Sequence, residues 1–135
     1  MFATCVAFTS AAAGATSPWA TKANTVCAAW SKKAVAIFGA KPKQPTTPKQ
    51  MLAFMLKSRK IETGILADLR RISVPRPPGA AKALTLAAAD VRELNMVIGN
   101  YGAVSNAEFK RDYLAWSNDN RANLAFAAIG ARGCA

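Results

Sequence analysis

The sequence predicts an all-α protein, an up-down-up-down four-helix bundle closed by one disulfide. Three observations carry this reading. Four segments repeat their apolar residues every three to four positions, and none alternates as a strand would. Helix boundaries flank these segments. Two cysteines, Cys27 and Cys134, bracket nearly all of the periodic region.

The first segment is predicted from Pro18 to Phe38. Ser17 offers an N-cap oxygen, and Pro18 suits the first helical position because its missing N–H is not needed there. Gly39 offers a stop. Trp19, Ala23, Val26, Cys27, Trp30, Ala34 and Ile37 form one apolar stripe. The connector Lys41-Pro42-Lys43-Gln44-Pro45-Thr46-Thr47-Pro48 has a proline at every third residue, which favours a stiff polyproline II spacer.

The second segment is predicted over residues 48–72. Thr47-Pro48-Lys49-Gln50 reads as a capping box, and Met51, Phe54, Met55, Ile61, Ile65, Leu66, Leu69 and Ile72 form the inner face. Ser73-Val74-Pro75-Arg76-Pro77-Pro78-Gly79 forbids continuation. The third segment, residues 80–101, lines Leu84, Ala87, Ala88, Val91, Leu94 and Ile98 along one side. The fourth, residues 106–129, opens on a second capping box, Ser105 to Glu108. It carries Phe109, Tyr113, Trp116, Leu124 and Ala127, and Gly130 ends it.

In such a bundle the fourth helix ends beside the start of the first. Cys27 lies roughly 13 Å along the first helix. The tail from Gly130 to Cys134 spans about 13 Å when extended, so a Cys27–Cys134 bridge is within reach. The pair implies an oxidising compartment. Residues 1–17 read as a leader: an apolar, small-residue run ends at Ala13-Gly14-Ala15, a signal-type cleavage sequence. An alternative within it is a degenerate lipobox, Phe2-Ala3-Thr4-Cys5, with Cys5 lipidated. Residues 18–135 form the single bundle domain.

The chain has 18 Lys and Arg against 7 Asp and Glu and no histidine. The lack of histidine removes His-based triads, His general bases and His metal or haem ligands. Three cysteines without CxxC spacing make a poor zinc site, and no glycine-rich phosphate loop is present. No catalytic residues, metal or cofactor are therefore expected. All seven acids fall after residue 60, so the positive field belongs to the first two helices and their connector. Lys32, Lys33, Lys41, Lys43, Lys49, Lys57, Arg59 and Lys60 cluster there, and Arg70, Arg71 and Arg76 extend the charge. Such a field suits an anionic membrane surface or cell-wall polymer. Nucleic acid is the second partner class, weakened because Trp19, Trp30, Tyr113 and Trp116 lie on inward stripes and leave few rings to stack on bases.

Several inward positions are polar. Ser58 and Glu62 fall on the stripe of the second helix, Asn95 on the third and Asn120 on the fourth. Counting outward from the turns brings Ser58, Asn95 and Tyr113 to one level, with Glu62 one turn away and Asn120 about two turns off. A buried carboxylate must be paired, protonated or wet, so this layer either fixes helix register or lines a small-ligand pocket.

The Asn24-Thr25-Val26-Cys27 start, the proline-rich gap and the ending Gly130-Ala131-Arg132-Gly133-Cys134 together resemble exported bacterial helical domains of unassigned activity. In these, a signal peptide or lipobox precedes a first helix carrying cysteine, and a partner cysteine closes the chain. The resemblance implies the fold and an extracytoplasmic compartment, secreted or membrane-tethered, and brings no activity. The expectation is a monomeric, non-catalytic binding or structural protein at an anionic envelope surface. The alternatives are a cytosolic nucleic-acid binder and a small-ligand binder built around the interior layer.

Overall fold

The computed structural model describes residues 16–135; residues 1–15, with Cys5 and all but the last two positions of the leader, lie outside the described residues. Helices α1 (Pro18–Phe38), α2 (Pro48–Arg70), α3 (Ala80–Asn100), α4 (Asn106–Asn118) and α5 (Arg121–Ala128) follow in order, and a 3-10 turn at Arg132–Cys134 ends the chain. The fold is all-α, with no strand among the described residues.

The starts of α1, α2 and α4 match the sequence reading because their signals are local. Ser17 Oγ accepts from the Ala20 N–H at 3.1 Å, ahead of Pro18. Both halves of the Thr47–Gln50 and Ser105–Glu108 capping boxes form. Helix α3 starts differently, on Gly79 at φ +88°, where an added Cβ would stand 2.9 Å from Ile129 Cγ2. Glycine is required there twice over, for the backbone conformation and for the close approach of the tail region.

The fourth predicted segment is two helices, not one. Ser117-Asn118-Asp119-Asn120 places four residues together whose side chains compete for backbone hydrogen bonds. Helix α4 stops there, and the Asp119 carboxylate accepts from the backbone N–H and the guanidinium of Arg121, tying down the first turn of α5. The break resets the helical phase. Ala122 and Phe126 turn inward, and Leu124, expected on the inner stripe, is 62% exposed.

Helices α2 and α3 form the central hairpin and run through two apolar clusters. At the α2–α3 turn, Trp19, Ala20, Ala23 and Cys27 of α1 pack with Leu66, Leu69, Ala80, Ala83, Leu84, Ala122, Phe126 and Ala131. At the opposite end, Met51, Met55, Leu94 and Val97 pack with Phe109, Tyr113 and Trp116 of α4. Helix α1 packs on α2 and on the 3-10 turn, and α5 packs on α3 and the same turn. The end of the fourth segment does lie beside α1, as the up-down topology requires, but the tail turn makes that contact.

Cys27 and Cys134 form the disulfide, with Cα atoms 5.2 Å apart. Asn24, one turn earlier on α1, reinforces it. Its amide nitrogen donates to the Gly130 carbonyl at 3.1 Å, and its oxygen accepts from the Gly133 N–H at 2.7 Å. Gly133 must be small, because a Cβ would come within 3.3 Å of the Asn24 backbone. Replacing Cys27 and Cys134 together by alanine is expected to lower stability by about 4 kcal/mol on the chain-entropy scale. Urea titration of oxidised wild type against the double variant measures this.

Gly64 does equivalent work between α1 and α2. The Trp30 ring lies against its Cα, and an added Cβ would overlap ring carbons Cη2 and Cζ2. The ring is fixed there by its Nε1–H donating to Asp68 Oδ2 at 2.8 Å and by Lys33 Nζ 3.9 Å from its centroid. Gly64→Ala gains about 1 kcal/mol of helix propensity but forces out a held ring, at about 1–3 kcal/mol. A net loss of about 1 kcal/mol is expected, with a red-shifted tryptophan emission as Trp30 swings into solvent.

Candidate functional site

Two surfaces of opposite charge are candidates, and they share a wall. The first is the basic hairpin. Lys32 and Lys33 near the end of α1, Lys41 and Lys43 in the connector, and Lys49, Lys57, Arg59 and Lys60 on α2 are all exposed. None joins an ion pair among the described residues, whose three pairs are Arg71–Asp68, Arg111–Asp112 and Arg121–Asp119. Between connector and α2 runs a groove of about 430 Å³. Phe38, Phe54, Pro42 and Pro45 give it apolar walls, and Lys43 and Lys57 line it too. The Phe38 and Phe54 rings pack with centroids 4.8 Å apart and planes tilted by 37°, and Lys57 Nζ lies 5.8 Å from the Phe38 centroid. Lysine stems over aromatic rings keep their charged heads in water.

The second is a cleft of about 640 Å³ between α2, α3 and the broken fourth segment. Phe54, Ser58 and Glu62 of α2, Asp90 of α3, Tyr113 and Trp116 of α4, Asp119 at the break and Phe126 of α5 all line it. The rings of Phe54, Tyr113 and Trp116 form one cluster, with centroids 5.9–6.5 Å apart. The cleft sits where α4 stops, so the interruption that divides the fourth segment also accompanies the opening.

Ser58, Glu62 and Tyr113, expected in one interior layer, do share this cleft. Asn95 does not join them. It is exposed, because α3 turns Leu94 and Val97 inward instead. Asn120 is exposed at the break. Asp90 and Asp119 are the residues that sequence reasoning missed. Asp90 was visible in principle: Ala83, Ala87, Asp90, Leu94 and Val97 recur at four and three, the spacing of a buried seam. Asp119 becomes part of the cleft only through the helix break.

Electrostatics in the cleft is dominated by burial. The Glu62 carboxyl is pushed up to about 7, first by burial and then by the charge of Asp90. Asp90 rises to about 6, by burial and by Asp119 and Glu93, with Arg121 opposing. Asp119 is held below its usual range by its hydrogen bonds from Arg121. Burial raises the Tyr113 hydroxyl as well. Glu62 Oε2 and Asp90 Oδ1 are closed off from water and accept no hydrogen bond. One carboxylate oxygen each from Asp90, Glu93 and Asp119 gather within 4.8 Å of one another.

Among the described residues no helix is long and apolar enough to cross a membrane. The disulfide is compatible with an oxidising, extracytoplasmic compartment. No protein-family profile, curated protein or solved structure matches the chain. Fold and sites therefore define its class: a small, basic, disulfide-closed helical bundle with an acidic, aromatic-walled cleft.

Raised carboxyl values have a definite consequence for stability. The folded state holds protons that the unfolded chain releases, so stability is greatest below Glu62's unfolded value of 4.5 and falls as pH rises through about 7. For Glu62 this loss is at most about 3 kcal/mol. Glu62→Gln removes the titrating group and keeps the shape. The variant is expected to unfold at higher urea than wild type at about pH 8, with the two converging near pH 4.

Proposed function

We propose that this protein is a non-catalytic binder of anionic envelope surfaces, exported to an extracytoplasmic compartment and using the α1–α2 hairpin as its docking face. One observation carries the reading: eight exposed cations lie on one hairpin without a single intramolecular ion pair among the described residues. Surface cations stabilise a fold little by themselves, and their mutual repulsion is relieved by a polyanion. Phe38 and Phe54 beneath the lysines add an apolar surface for the interfacial region of a lipid layer. The rings that nucleic acid would need for stacking are mostly elsewhere: Trp19 is fully buried, and the little of Tyr113 and Trp116 that is open lines the acidic cleft.

Vesicle sedimentation tests this with phosphatidylglycerol-containing and purely zwitterionic vesicles. Binding is expected only to the anionic vesicles and should fall steeply between about 50 and about 300 mM salt. Each basic side chain near such a surface contributes about 1 kcal/mol. Changing Lys41, Lys43, Lys57 and Lys60 to glutamine should therefore weaken binding at least 100-fold. Tighter binding to duplex DNA than to anionic vesicles at equal salt would move the reading to nucleic acid.

A further inference from the structure

The inner cleft has its own chemistry, opposite in sign to the docking face. On a chain of net charge +11, it gathers carboxylates and rings. Ser58 is only 7% exposed and lines the cleft. Glu62 Oε2 and Asp90 Oδ1 receive no donor. Two carboxylate oxygens left without partners are costly, and what they lack is hydrogen-bond donors and positive charge. Tyr113 and Trp116 stand beside them, and aromatic rings attract cations as well as apolar groups.

We propose that the cleft is a binding site for a small organic cation, an amine or guanidinium with an apolar body. Its charged head sits at the cleft face of the Glu62–Asp90 pair, beside Ser58, and its body lies against the rings of Phe54, Tyr113 and Trp116. The volume, about 640 Å³, is ample for a molecule of that size. A divalent metal fits less well. Its natural seat is the Asp90–Glu93–Asp119 corner, but Asp119 is already engaged by the Arg121 guanidinium, which adds a positive charge to that corner. At the Glu62 end of the cleft the acceptors are spread among rings, which suits a donor-bearing organic head more than a hard ion that needs six or more oxygens.

Calorimetric titration of the disulfide-intact chain with 2-phenylethylamine and agmatine tests the site, with neutral 2-phenylethanol as the shape control. At least one amine is expected to bind at about pH 7.5 with a dissociation constant below about 1 mM, and the alcohol at least 10-fold more weakly. Affinity should drop about 10-fold at about pH 5.5, where the Glu62–Asp90 pair gains protons. The charged and titratable groups around that pair are Glu93, Asp119, Arg121 and Tyr113, and Glu62→Gln is the variant that separates their contribution. It should weaken the amine at least 10-fold while vesicle binding is retained. Amine binding no tighter than that of the alcohol would overturn the proposal. So would amine affinity unchanged in Glu62→Gln, or calcium binding that outcompetes both amines. None of these outcomes touches the basic hairpin, so the envelope-docking reading stands or falls separately.

Discussion

Helix α1 comes into close backbone contact with α2 and with the tail turn that follows α5, and it meets α3 and α5 only through side chains of the first apolar cluster. The Cys27–Cys134 bond and the two hydrogen bonds of Asn24 fix that tail, and through it they hold α5 over the first apolar cluster. If the tail lifts, Ala131 leaves that cluster and Trp19, Ala20 and Ala23 lose one of their neighbours. Alanine-rich helices make this dependence strong, because each alanine buries little area and close approach must be enforced from outside. A covalent closure over 107 residues does so by removing freedom from the unfolded chain, which needs no extra core.

The central hairpin carries the functional tension. Met51, Met55, Ser58, Glu62, Ile65 and Leu69 of α2 follow the same four-three spacing as Ala83, Ala87, Asp90, Leu94 and Val97 of α3. Each seam spends one core position on a carboxylate, and the two carboxylates face one cleft. A net charge of +11 should hold acids ionised, yet both are raised, so loss of hydration outweighs the positive field. An aliphatic pair at these positions would be more stable at neutral pH. Positions that lower stability in a well-capped fold are those where binding chemistry is expected.

What was legible in the sequence was local or periodic. Caps were read correctly because Ser17, Thr47, Gln50, Ser105 and Glu108 act within one turn of themselves. The disulfide was legible because topology and chain length put the two cysteines within reach. Asn95 was misplaced because the apolar stripe of α3 is broad: Val91, Leu94, Val97 and Ile98 permit more than one inward phase, and packing against α4 selects the one that exposes it. Leu124 and Asn120 failed for a different reason. A phase carried across Ser117-Asn118-Asp119-Asn120 assumes an unbroken helix, and these residues offer no proline or glycine to announce the stop. Asp119 enters the cleft only after the break, so no periodicity could have found it.

The two surfaces are not independent. Gln44, Pro45 and Phe54 line both the basic groove and the acidic cleft, so one connector and one ring separate fields of opposite sign. Salt weakens the attraction of a polyanion for the lysines, but it also screens the positive field that an incoming cation has to cross. A polyanion on the hairpin, as proposed, would achieve the same screening without salt. It would neutralise Lys43 and Lys57 beside the shared wall and lower the electrostatic barrier to the cleft. By reciprocity, a cation in the cleft would add positive charge behind the hairpin and favour a polyanion there. Segregating seven acids from the first sixty residues thus places fields of opposite sign on the two sides of one shared wall, the connector and the Phe54 ring.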